Sequence, residues 1–408
     1  MRILSLANIT PYPARGGIHL RILNLLSRVA QRHEVTLGCH FWDERDRESG
    51  EVLSRMGIRT VGGMVRSGSL RQHALPGIRR ALRGIPPETA QYESPALHQL
   101  VQRGGYDLLH VEETILTPYA RSVAPGERPL KVLTLHNVHF AQDRRIAAIE
   151  PSAGRRAMKR WNAQWMWHYE PRVAREFDRI IAVSEDDRRT LLARDAALPI
   201  AVVPNGVDTR ALQPLPEHGG RPSILFVGSM AYRPCADAAI WLVREILPRL
   251  RATIPDAEVW IVGKFPPADV LALAGAGVFV MGEVPDVVPY YARASLSVVP
   301  LRAGGGTRLK ILESMALGRV VVSTALGAEG LDVSDGRDIV LAESADAMAD
   351  AIAGLLRDTA RRQAIARTAR ALVERSYDWD DIAEQQLGVF EELEASSRER
   401  RAMASLPQ

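Results

Sequence analysis

The chain has 408 residues, of which 46% are hydrophobic and 25% charged, an ordinary composition for a globular protein. At roughly 100–200 residues per domain, this length predicts two domains. The formal net charge of +4 comes almost wholly from arginine, since lysine occurs only at positions 131, 159, 264 and 310. Acidic residues are interspersed and there is no Lys/Arg tail, so the charge pattern argues against a nucleic-acid-binding protein.

Cysteine content and hydropathy predict a cytoplasmic location. Cys39 and Cys235 are the only cysteines, too few for a disulfide framework or for a zinc site on their own, which indicates a reducing compartment. Residues 1–7 are too short an apolar run for a signal peptide. The longest apolar stretch, residues 270–281, is shorter than the ~20 residues that a bilayer span needs.

Short apolar segments alternate with amphipathic ones along the chain, a pattern typical of parallel sheets covered by helices. In the first half we predict strands at 2–7, 34–40, 58–62, 107–111, 131–135, 179–183 and 200–203, and helices at 17–31, 45–55, 94–103, 155–177 and 185–194. In the second half we predict strands at 223–228, 258–262, 278–281, 296–299, 320–323 and 338–341, and helices at 236–251, 286–293, 307–317, 345–357, 359–374 and 380–397.

The boundary between the halves follows the strand at 200–203. Pro204-Asn205-Gly206-Val207-Asp208 has turn composition, and residues 213–222 form a Pro/Gly-rich linker. We therefore predict an α/β protein with an amino-terminal Rossmann-like domain at 1–203 and a carboxyl-terminal one at 204–379.

Glycines follow the first predicted strand of each half. Gly16-Gly17 precede a helix, but G-x-G-x-x-G is missing, so the dinucleotide fingerprint is absent. Glycines at a helix start let an anion approach main-chain N–H groups, although a tight turn explains them equally well. In the second half, Gly228 opens a loop that leads to Arg233, which would neutralise a phosphate or else be a solvated loop arginine.

The strongest motif is a buried strand, three glycines and a patterned helix within residues 298–318. Gly304-Gly305-Gly306 would let main-chain N–H groups approach an anion, and the helix dipole adds about half a positive charge. Lys310 and Glu313 share a helix face and would present a cation to phosphate and a carboxylate to sugar hydroxyls. A surface Lys–Glu pair is the alternative. The segment is not a P-loop, because the Gly-Lys-Ser/Thr ending is missing.

His136 follows the strand at 131–135, at a carboxyl end where ligands bind in open α/β sheets. Its imidazole would hydrogen-bond a sugar hydroxyl or a leaving phosphate. A structural role is equally open, and His139 is a neighbouring candidate. The sequence has no suitably placed Asp-x-Asp pair, no Gly-x-Ser-x-Gly and no His-Glu-x-x-His. We therefore expect chemistry without a metal and without a cofactor.

Aromatic residues recur at helical spacing after a basic cluster at 155–160. Trp161, Trp165 and His168 lie on one predicted face. This face would rest on an anionic membrane surface or form an aromatic stripe in the core, and both interpretations stay open.

Five stretches together resemble the family-four glycosyltransferases of the GT-B fold, over nearly the full length of the chain. They are Gly16-Gly17, His136-Asn137-Val138, residues 181–185, residues 204–208 and residues 304–316. The resemblance implies two Rossmann-like domains facing across a cleft, with the helix at 380–397 crossing back to the first domain. It also implies retaining, metal-independent transfer from a nucleotide-sugar to a glycan, lipid-linked or small-molecule acceptor, in the context of surface polysaccharide assembly.

Carried over position by position, the resemblance implies roles for single residues. The catalytic set would be His136, Arg233, Lys310 and Glu313, with His136 on the donor sugar or leaving oxygen and Glu313 on the ribose. The loop at 305–308 would bind the diphosphate through main-chain amides. The implied donor-binding residues are Gly16, Gly17, Gly228, Arg233, Lys264, Val284, Arg302, Gly305, Gly306, Thr307, Arg308, Lys310 and Glu313.

One departure concerns a carboxylate. Family members often carry two glutamates separated by seven residues; Glu313 matches the second, and the first would fall at Gly305. The chain fits a branch in which a Gly-rich stretch precedes Thr-Arg-x-Lys. Two alternatives stay open: a nucleotide-sugar epimerase on the same fold, and a non-catalytic partner of a transferase or lipid carrier. Peripheral membrane association is compatible with each, and the oligomeric state is not predicted.

Overall fold

A computed structural model describes residues 1–14, 16–64, 79–82 and 84–404. Within these ranges the chain divides into two compact units. The first comprises Met1–Phe140, Trp161–Pro204 and the chain from Asp380 onward, and the second comprises Ala141–Arg160 and Asn205–Trp379. The sequence pattern had predicted residues 141–160 as part of the amino-terminal domain. The structure places them in the second unit instead, where Gln142 bonds to Tyr232 and Arg145 to Glu329.

The first unit contains a seven-stranded parallel sheet in the order β3-β2-β1-β4-β5-β6-β7. Its strands are β1 (Arg2–Ala7), β2 (Glu34–Phe41), β3 (Ile58–Met64), β4 (Leu108–Glu112), β5 (Leu130–Leu135), β6 (Arg179–Ala182) and β7 (Ile200–Val202). The inner strands β1, β2 and β4 are buried along most of their length, as expected for a parallel sheet with both faces covered.

Helices of the first unit connect these strands. Their bounds are Gly17–Val29, Glu44–Arg55, Pro95–Gln102 and Glu185–Leu192, with 3-10 helices at Pro87–Tyr92 and Thr114–Ser122. The terminal helix Trp379–Ala404 is longer than predicted, and its Asp380 pairs with Arg28 at 2.7 Å. Its Phe390 is fully buried, so this helix contributes to the first core although it is last in the chain.

The second unit contains a six-stranded parallel sheet in the order β10-β9-β8-β11-β12-β13. Its strands are β8 (Ser223–Val227), β9 (Glu258–Val262), β10 (Val278–Gly282), β11 (Leu296–Val299), β12 (Val321–Ser323) and β13 (Val340–Leu341). Its helices are Arg233–Trp241, Leu247–Arg251, Ala268–Leu271, Val288–Arg293, Leu309–Ala316, Ala325–Ala328, Ala345–Arg357 and Thr359–Ser376, with one π-helical turn at Leu242–Ile246.

Two helices each contain residues of both units. Ala153–Ala174 was predicted, whereas His139–Ile149 was not. All thirteen predicted strands are present within a few residues. The predicted helix at 307–317 begins later, at Leu309, because residues 304–308 form a loop. That helix ends as expected at a glycine, since Gly318 has φ 69°. Among the described residues, no helix is both long and apolar enough to span a bilayer.

Candidate active site

The order of the strands in the second sheet creates a switch point between β8 and β11. β8 and β11 are parallel neighbours, with Ile224 opposite Leu296. From this pair the sheet extends through β9 and β10 on one side and through β12 and β13 on the other. In open α/β sheets, ligands bind outside the carboxyl ends of strands at such a switch point. The loops that begin at Gly228 and at Pro300 both leave from this point.

The glycine loop after β11 has its carbonyl groups tied to arginines. Arg308 Nη1 donates to the carbonyls of Gly305 and Gly306, and Arg145 Nη1 donates to the carbonyl of Gly304 at 3.2 Å. The loop needs glycine for its backbone, since φ is 118° at Gly304 and 71° at Gly306. The side chain of Arg308 does not cap the following helix. The positive end of the helix dipole therefore faces the loop without a side-chain cap.

Lys310 and Glu313 lie in the helix that follows this loop. Lys310 Nζ is 3.5 Å from Cys235 Sγ and 4.9 Å from the centre of the Phe226 ring. Across the described chain, no carboxylate forms an ion pair with Lys310, and no donor bonds to the Glu313 carboxylate. Burial raises the pKa of Glu313, and the nearby Lys310 charge opposes that rise. Two groups of opposite charge are thus held near each other without ion-pair partners.

Gly228 brings the β8 loop close to Lys310. A Cβ atom at Gly228 would lie 2.6 Å from Lys310 Nζ and 2.9 Å from Cys235 Sγ. The same loop touches the end of β9, where a Cβ atom at Gly263 would lie 1.7 Å from the Gly228 carbonyl oxygen. Glycine is therefore required at residue 263, where the clash is with main chain, whereas at residue 228 a larger residue would displace the ends of two side chains. The structure brings together the predicted residues Gly228, Lys310 and, through the helix, Glu313.

The other residues of this unit that were predicted to bind the donor differ in how strongly they are bound to other protein groups. Arg302 forms a two-pronged bond with Asp237, with distances of 3.0 and 2.8 Å, so it would have to leave this partner to reach a phosphate. Arg233 lies 3.3 Å from Asp269, and its buried Nε has no hydrogen-bond partner in the described chain. Lys264 and Val284 are both half-buried and follow β9 and β10.

Four residues around the glycine loop were missed in the sequence. Gln142 donates to the Tyr232 hydroxyl at 3.0 Å, and the Gly305 main chain bonds to the same hydroxyl. Arg145 forms a two-pronged ion pair with Glu329, in which Nη2 and Oε1 are 2.7 Å apart. No sequence signal could have found this pair, because its members are 184 residues apart.

The first unit has its own switch point, between β1 and β4. Gly16 and Gly17 follow β1, and Gly16 precedes the helix Gly17–Val29 with an extended φ of 179°. Glu112 ends β4, and His136 follows the neighbouring strand β5. The predicted residues Gly16, Gly17 and His136 therefore all lie at the carboxyl edge of the first sheet.

Buried charges at this edge are paired. His136 Nε2 lies 3.0 Å from Glu112 Oε2, and His110 Nε2 lies 3.6 Å from Glu112 Oε1. Burial opposes ionisation of Glu112, but the two imidazoles and the Arg21 guanidinium outweigh it and lower its pKa to about 2. Arg21, also missed in the sequence, donates to the carbonyls of residues 203 and 204, and its burial lowers its pKa to about 10.

A second carboxylate pair lies beside the first. His139 Nε2 is 2.7 Å from Glu113 Oε2, and Glu113 has the unusual φ of 90°, a conformation that costs a non-glycine residue energy. Glu170 accepts bonds from the Thr114 hydroxyl and from the main-chain N–H groups of residues 139 and 140. Burial outweighs these bonds and raises the pKa of Glu170 to about 7. The imidazole of His139, the alternative candidate to His136, is therefore paired with the Glu113 carboxylate.

Two of the stretches quoted for the family resemblance have structural roles. In the stretch at 204–208, the Val207 N–H donates to the Tyr377 carbonyl at 2.7 Å. A Cβ atom at Gly206 would lie 2.7 Å from the Trp379 ring. In the stretch at 181–185, the Ser184 hydroxyl accepts from the Asp187 N–H and caps the next helix. Neither arrangement offers a ligand an unpaired charge.

The aromatic helix face is partly exposed. Trp161 is 48% exposed, and its ring centre lies 5.1 Å from that of Trp165. These two rings, with His168 and Arg172, line a cavity of about 320 Å³. The buried side of the helix is instead formed by residues 162, 163, 166, 169, 170, 173 and 174. The interpretation as a core stripe is therefore wrong for Trp161 and His168. In the described ranges, no group of three or more His, Cys, Asp or Glu side chains is arranged to hold a metal.

Comparison with known families accounts for most of the chain. Residues 15–211 match the family model described as Glycosyltransferase Family 4. Residues 221–358 match the model described as Glycosyl transferases group 1. The chain is a glycosyltransferase. Among curated proteins, no sequence matches this one.

Solved structures of similar fold include the following three proteins. HepE of Anabaena, in complex with UDP and glucose, is 18% identical with a TM-score of 0.69, over 96% of this chain and 99% of its own. Sucrose-phosphate synthase of Thermosynechococcus elongatus is 18% identical with a TM-score of 0.70, over 97% and 100%. A point variant of TarM from S. aureus, in complex with fondaparinux, alpha-GlcNAc-glycerol and UDP, is 11% identical with a TM-score of 0.67, over 96% and 100%. The glycosyltransferase thus has the GT-B fold.

Proposed function

We propose that this glycosyltransferase takes a sugar from a nucleoside diphosphate sugar, and that its second unit binds the donor. The observation that carries the proposal is the glycine loop at the switch point, followed by Lys310 and Glu313 without ion-pair partners. Unpaired buried or half-buried charge is costly unless a ligand compensates it. A diphosphate would meet the helix N-terminus and the Lys310 ammonium, and a ribose hydroxyl would donate to the Glu313 carboxylate.

Catalysis in this proposal comes from binding the leaving diphosphate. Negative charge develops on the leaving phosphate oxygen as the glycosidic bond breaks, and fixed donors around it lower the barrier. Arg233 would add a second cation, since its Nε lacks a partner in the described chain. Arg302 is a weaker candidate because Asp237 already holds it. The role of His136 on the donor sugar stays a prediction from the family resemblance.

The finer features of the reaction rest on that same resemblance. The resemblance to the family-four glycosyltransferases supports retention of anomeric configuration and independence of metal, and the chain fits the Thr-Arg-x-Lys branch of that family at residues 307–310. Uridine nucleotides are the first donors to test, because the similar HepE structure contains UDP and glucose. For the acceptor we propose a glycan, a lipid-linked sugar or a small hydroxyl compound, in surface polysaccharide assembly.

The proposal also includes a cytoplasmic location and peripheral contact with the inner face of a membrane. Met158 is 63% exposed and Trp161 48% exposed, and the exposed Arg160 lies between them in the sequence. Adjacent apolar and cationic side chains suit an anionic surface. Lys159 is bound to Asp143 at 2.7 Å and Arg155 to Glu150 at 3.0 Å, so fewer cations are available than the sequence suggests.

The direct test is transfer from a panel of nucleoside diphosphate sugars to a mixture of sugar and polyol acceptors. We expect one donor to release nucleoside diphosphate in an acceptor-dependent way, unchanged by a chelator, with a product of the donor's anomeric configuration by NMR. An inverted product would contradict retention, and loss of activity with the chelator that added metal restores would contradict metal independence. An epimerised donor without acceptor would support the epimerase alternative.

A further inference from the structure

The carbonyl groups of three consecutive glycines are all bound by guanidinium groups. Arg308 Nη1 donates to the carbonyls of Gly305 and Gly306, and Arg145 Nη1 donates to that of Gly304. A trans peptide is planar, so its C=O and the following N–H point in opposite directions. Fixing the Gly305 and Gly306 carbonyls on the arginine side therefore turns the N–H groups of Gly306 and Thr307 towards the other side of the loop.

Arg145 is itself held in place. Both of its terminal nitrogens bond to the Glu329 carboxylate, with Nη2 and Oε1 2.7 Å apart. A two-pronged pair fixes the guanidinium plane as well as its position. Gln142, one turn earlier on the same helix, donates to the Tyr232 hydroxyl that the Gly305 main chain also contacts. The helix thus supports the loop at two points.

Arg308 adds charge as well as geometry. Its side chain is 7% exposed, and its Nε and Nη2 lack hydrogen-bond partners among the described residues. No carboxylate of the described chain forms an ion pair with it, and burial lowers its pKa. A buried cation without an anionic partner is expensive. Beneath a loop with N–H groups directed outward, this charge favours the arrival of an anion.

We infer that Arg145, held by Glu329, is a positioning residue that together with Arg308 pre-forms the diphosphate-binding loop of the donor site. These arginines act on the substrate through the main-chain carbonyls of the glycines. This inference rests on the proposed function, since the anion is the donor diphosphate. It also assigns a purpose to residues 141–160, which belong to the second unit although they are distant from it in sequence.

The test compares diphosphate binding with nucleoside binding. UDP, GDP, ADP and dTDP are each titrated into the wild-type protein by calorimetry, and the one that binds is then used with Arg145→Gln and Glu329→Gln. We expect about tenfold weaker diphosphate binding in each variant. The corresponding nucleoside, measured by competition, should bind within twofold of wild type. The double variant should bind the diphosphate no more weakly than the weaker-binding single variant, because both changes disrupt the same ion pair.

Two further variants make the outcome decisive. Arg145→Lys should not restore binding, because an ammonium lacks the planar fork that spans Glu329 and the Gly304 carbonyl. Arg249→Gln is the matched control, since Arg249 pairs with Glu245 and Asp346 in the same unit, and it should bind the diphosphate like wild type. If Arg145→Gln fails to fold, the nearly isosteric Glu329→Gln alone decides.

The inference and the proposed function fail in different ways. If the wild type binds none of the four diphosphates, the proposed donor site is wrong. If the wild type binds one of them and Glu329→Gln, folded, binds it equally well, only the positioning role is wrong. An equal loss of nucleoside and diphosphate affinity would also contradict the inference, because it would indicate a general disturbance of the unit.

Discussion

At the carboxyl edge of the first sheet, the buried carboxylates of Glu112 and Glu113 each face an imidazole. At the corresponding edge of the second sheet, Lys310 and Glu313 have no ion-pair partners in the described chain. Both edges are switch points of parallel sheets, so the topology alone does not distinguish them. This difference supports the proposal that a charged ligand binds at the second edge.

The pairing also has different energetic consequences at the two edges. A protein loses several kcal/mol of stability when one partner of a buried ion pair is removed, because the other charge is left uncompensated. An unpaired charge in a binding site costs stability in the free protein and contributes to ligand affinity instead. We therefore expect changes at the second edge to affect turnover and changes at the first edge to affect unfolding.

The largest effect is expected from Lys310→Ala and Glu313→Ala. Lys310→Ala removes a cation beside the leaving phosphate, and Glu313→Ala removes the carboxylate that would position the ribose. Turnover should therefore fall by about 100- to 1,000-fold, as for the loss of one group that stabilises or positions the transition state. Release of nucleoside diphosphate measures turnover, and thermal unfolding confirms the fold. Glu258→Gln, which removes only a partner of the exposed Arg221, is the control. Full activity in both alanine variants would remove the basis for the comparison.

Next in size is Glu112→Gln at the first edge. This change leaves His136, His110 and Arg21 without their shared carboxylate, so the free energy of unfolding should fall by ~3 kcal/mol. Urea denaturation measures the change. Affinity for the nucleoside diphosphate should stay within twofold of wild type. A large loss of affinity with unchanged stability would reverse the roles that we assign to the two edges.

Glu170 gives a pH-dependent version of the same test. Its folded pKa of about 7 lies above the ordinary value of 4.5, so the folded state binds more protons between these pH values. The contribution of Glu170 to the free energy of unfolding is therefore lost as pH rises from about 4.5 to 7, by up to ~3 kcal/mol. Glu170→Gln does not titrate, so its stability relative to wild type should increase between pH 5 and pH 8.

The measurement is urea denaturation of both proteins at several pH values. Comparison with wild type cancels the titration of groups that do not interact with Glu170. A constant difference between the two proteins from pH 5 to pH 8 would mean that the Glu170 carboxyl titrates normally.

The smallest effect on stability is expected from Trp161→Ser, which lies outside both edges. The ring is 48% exposed, so donor affinity should not change and the melting temperature should fall by only about 2 °C. Co-sedimentation with phosphatidylglycerol vesicles should decrease about threefold. Trp42→Ser is a matched control because Trp42 is also 48% exposed. If the wild-type protein does not sediment with the vesicles, the proposal of a membrane contact is wrong.

The sequence by itself was sufficient for the strands, for the Gly304–Gly306 loop and for the glycine at the end of its helix. These features have local causes: side-chain alternation, the conformational freedom of glycine and the 3.6-residue period act within a few positions. The helix His139–Ile149 was missed, since it carries no clear apolar stripe and directly follows the His136 motif. Ser184, quoted for the family resemblance, acts locally as a helix cap.

Tertiary structure alone decided which charges are paired. Arg145 meets Glu329 across 184 residues, and Arg21 meets the Pro204 carbonyl across 183. Neither partner shares a local pattern with the other, because ion pairs and carbonyl contacts leave no periodic trace in a sequence. Chain connectivity therefore predicted where the two edges lie, whereas the fold determined that the carboxylates of one edge lie beside imidazoles and that Lys310 and Glu313 at the other edge have no ion-pair partner among the described residues.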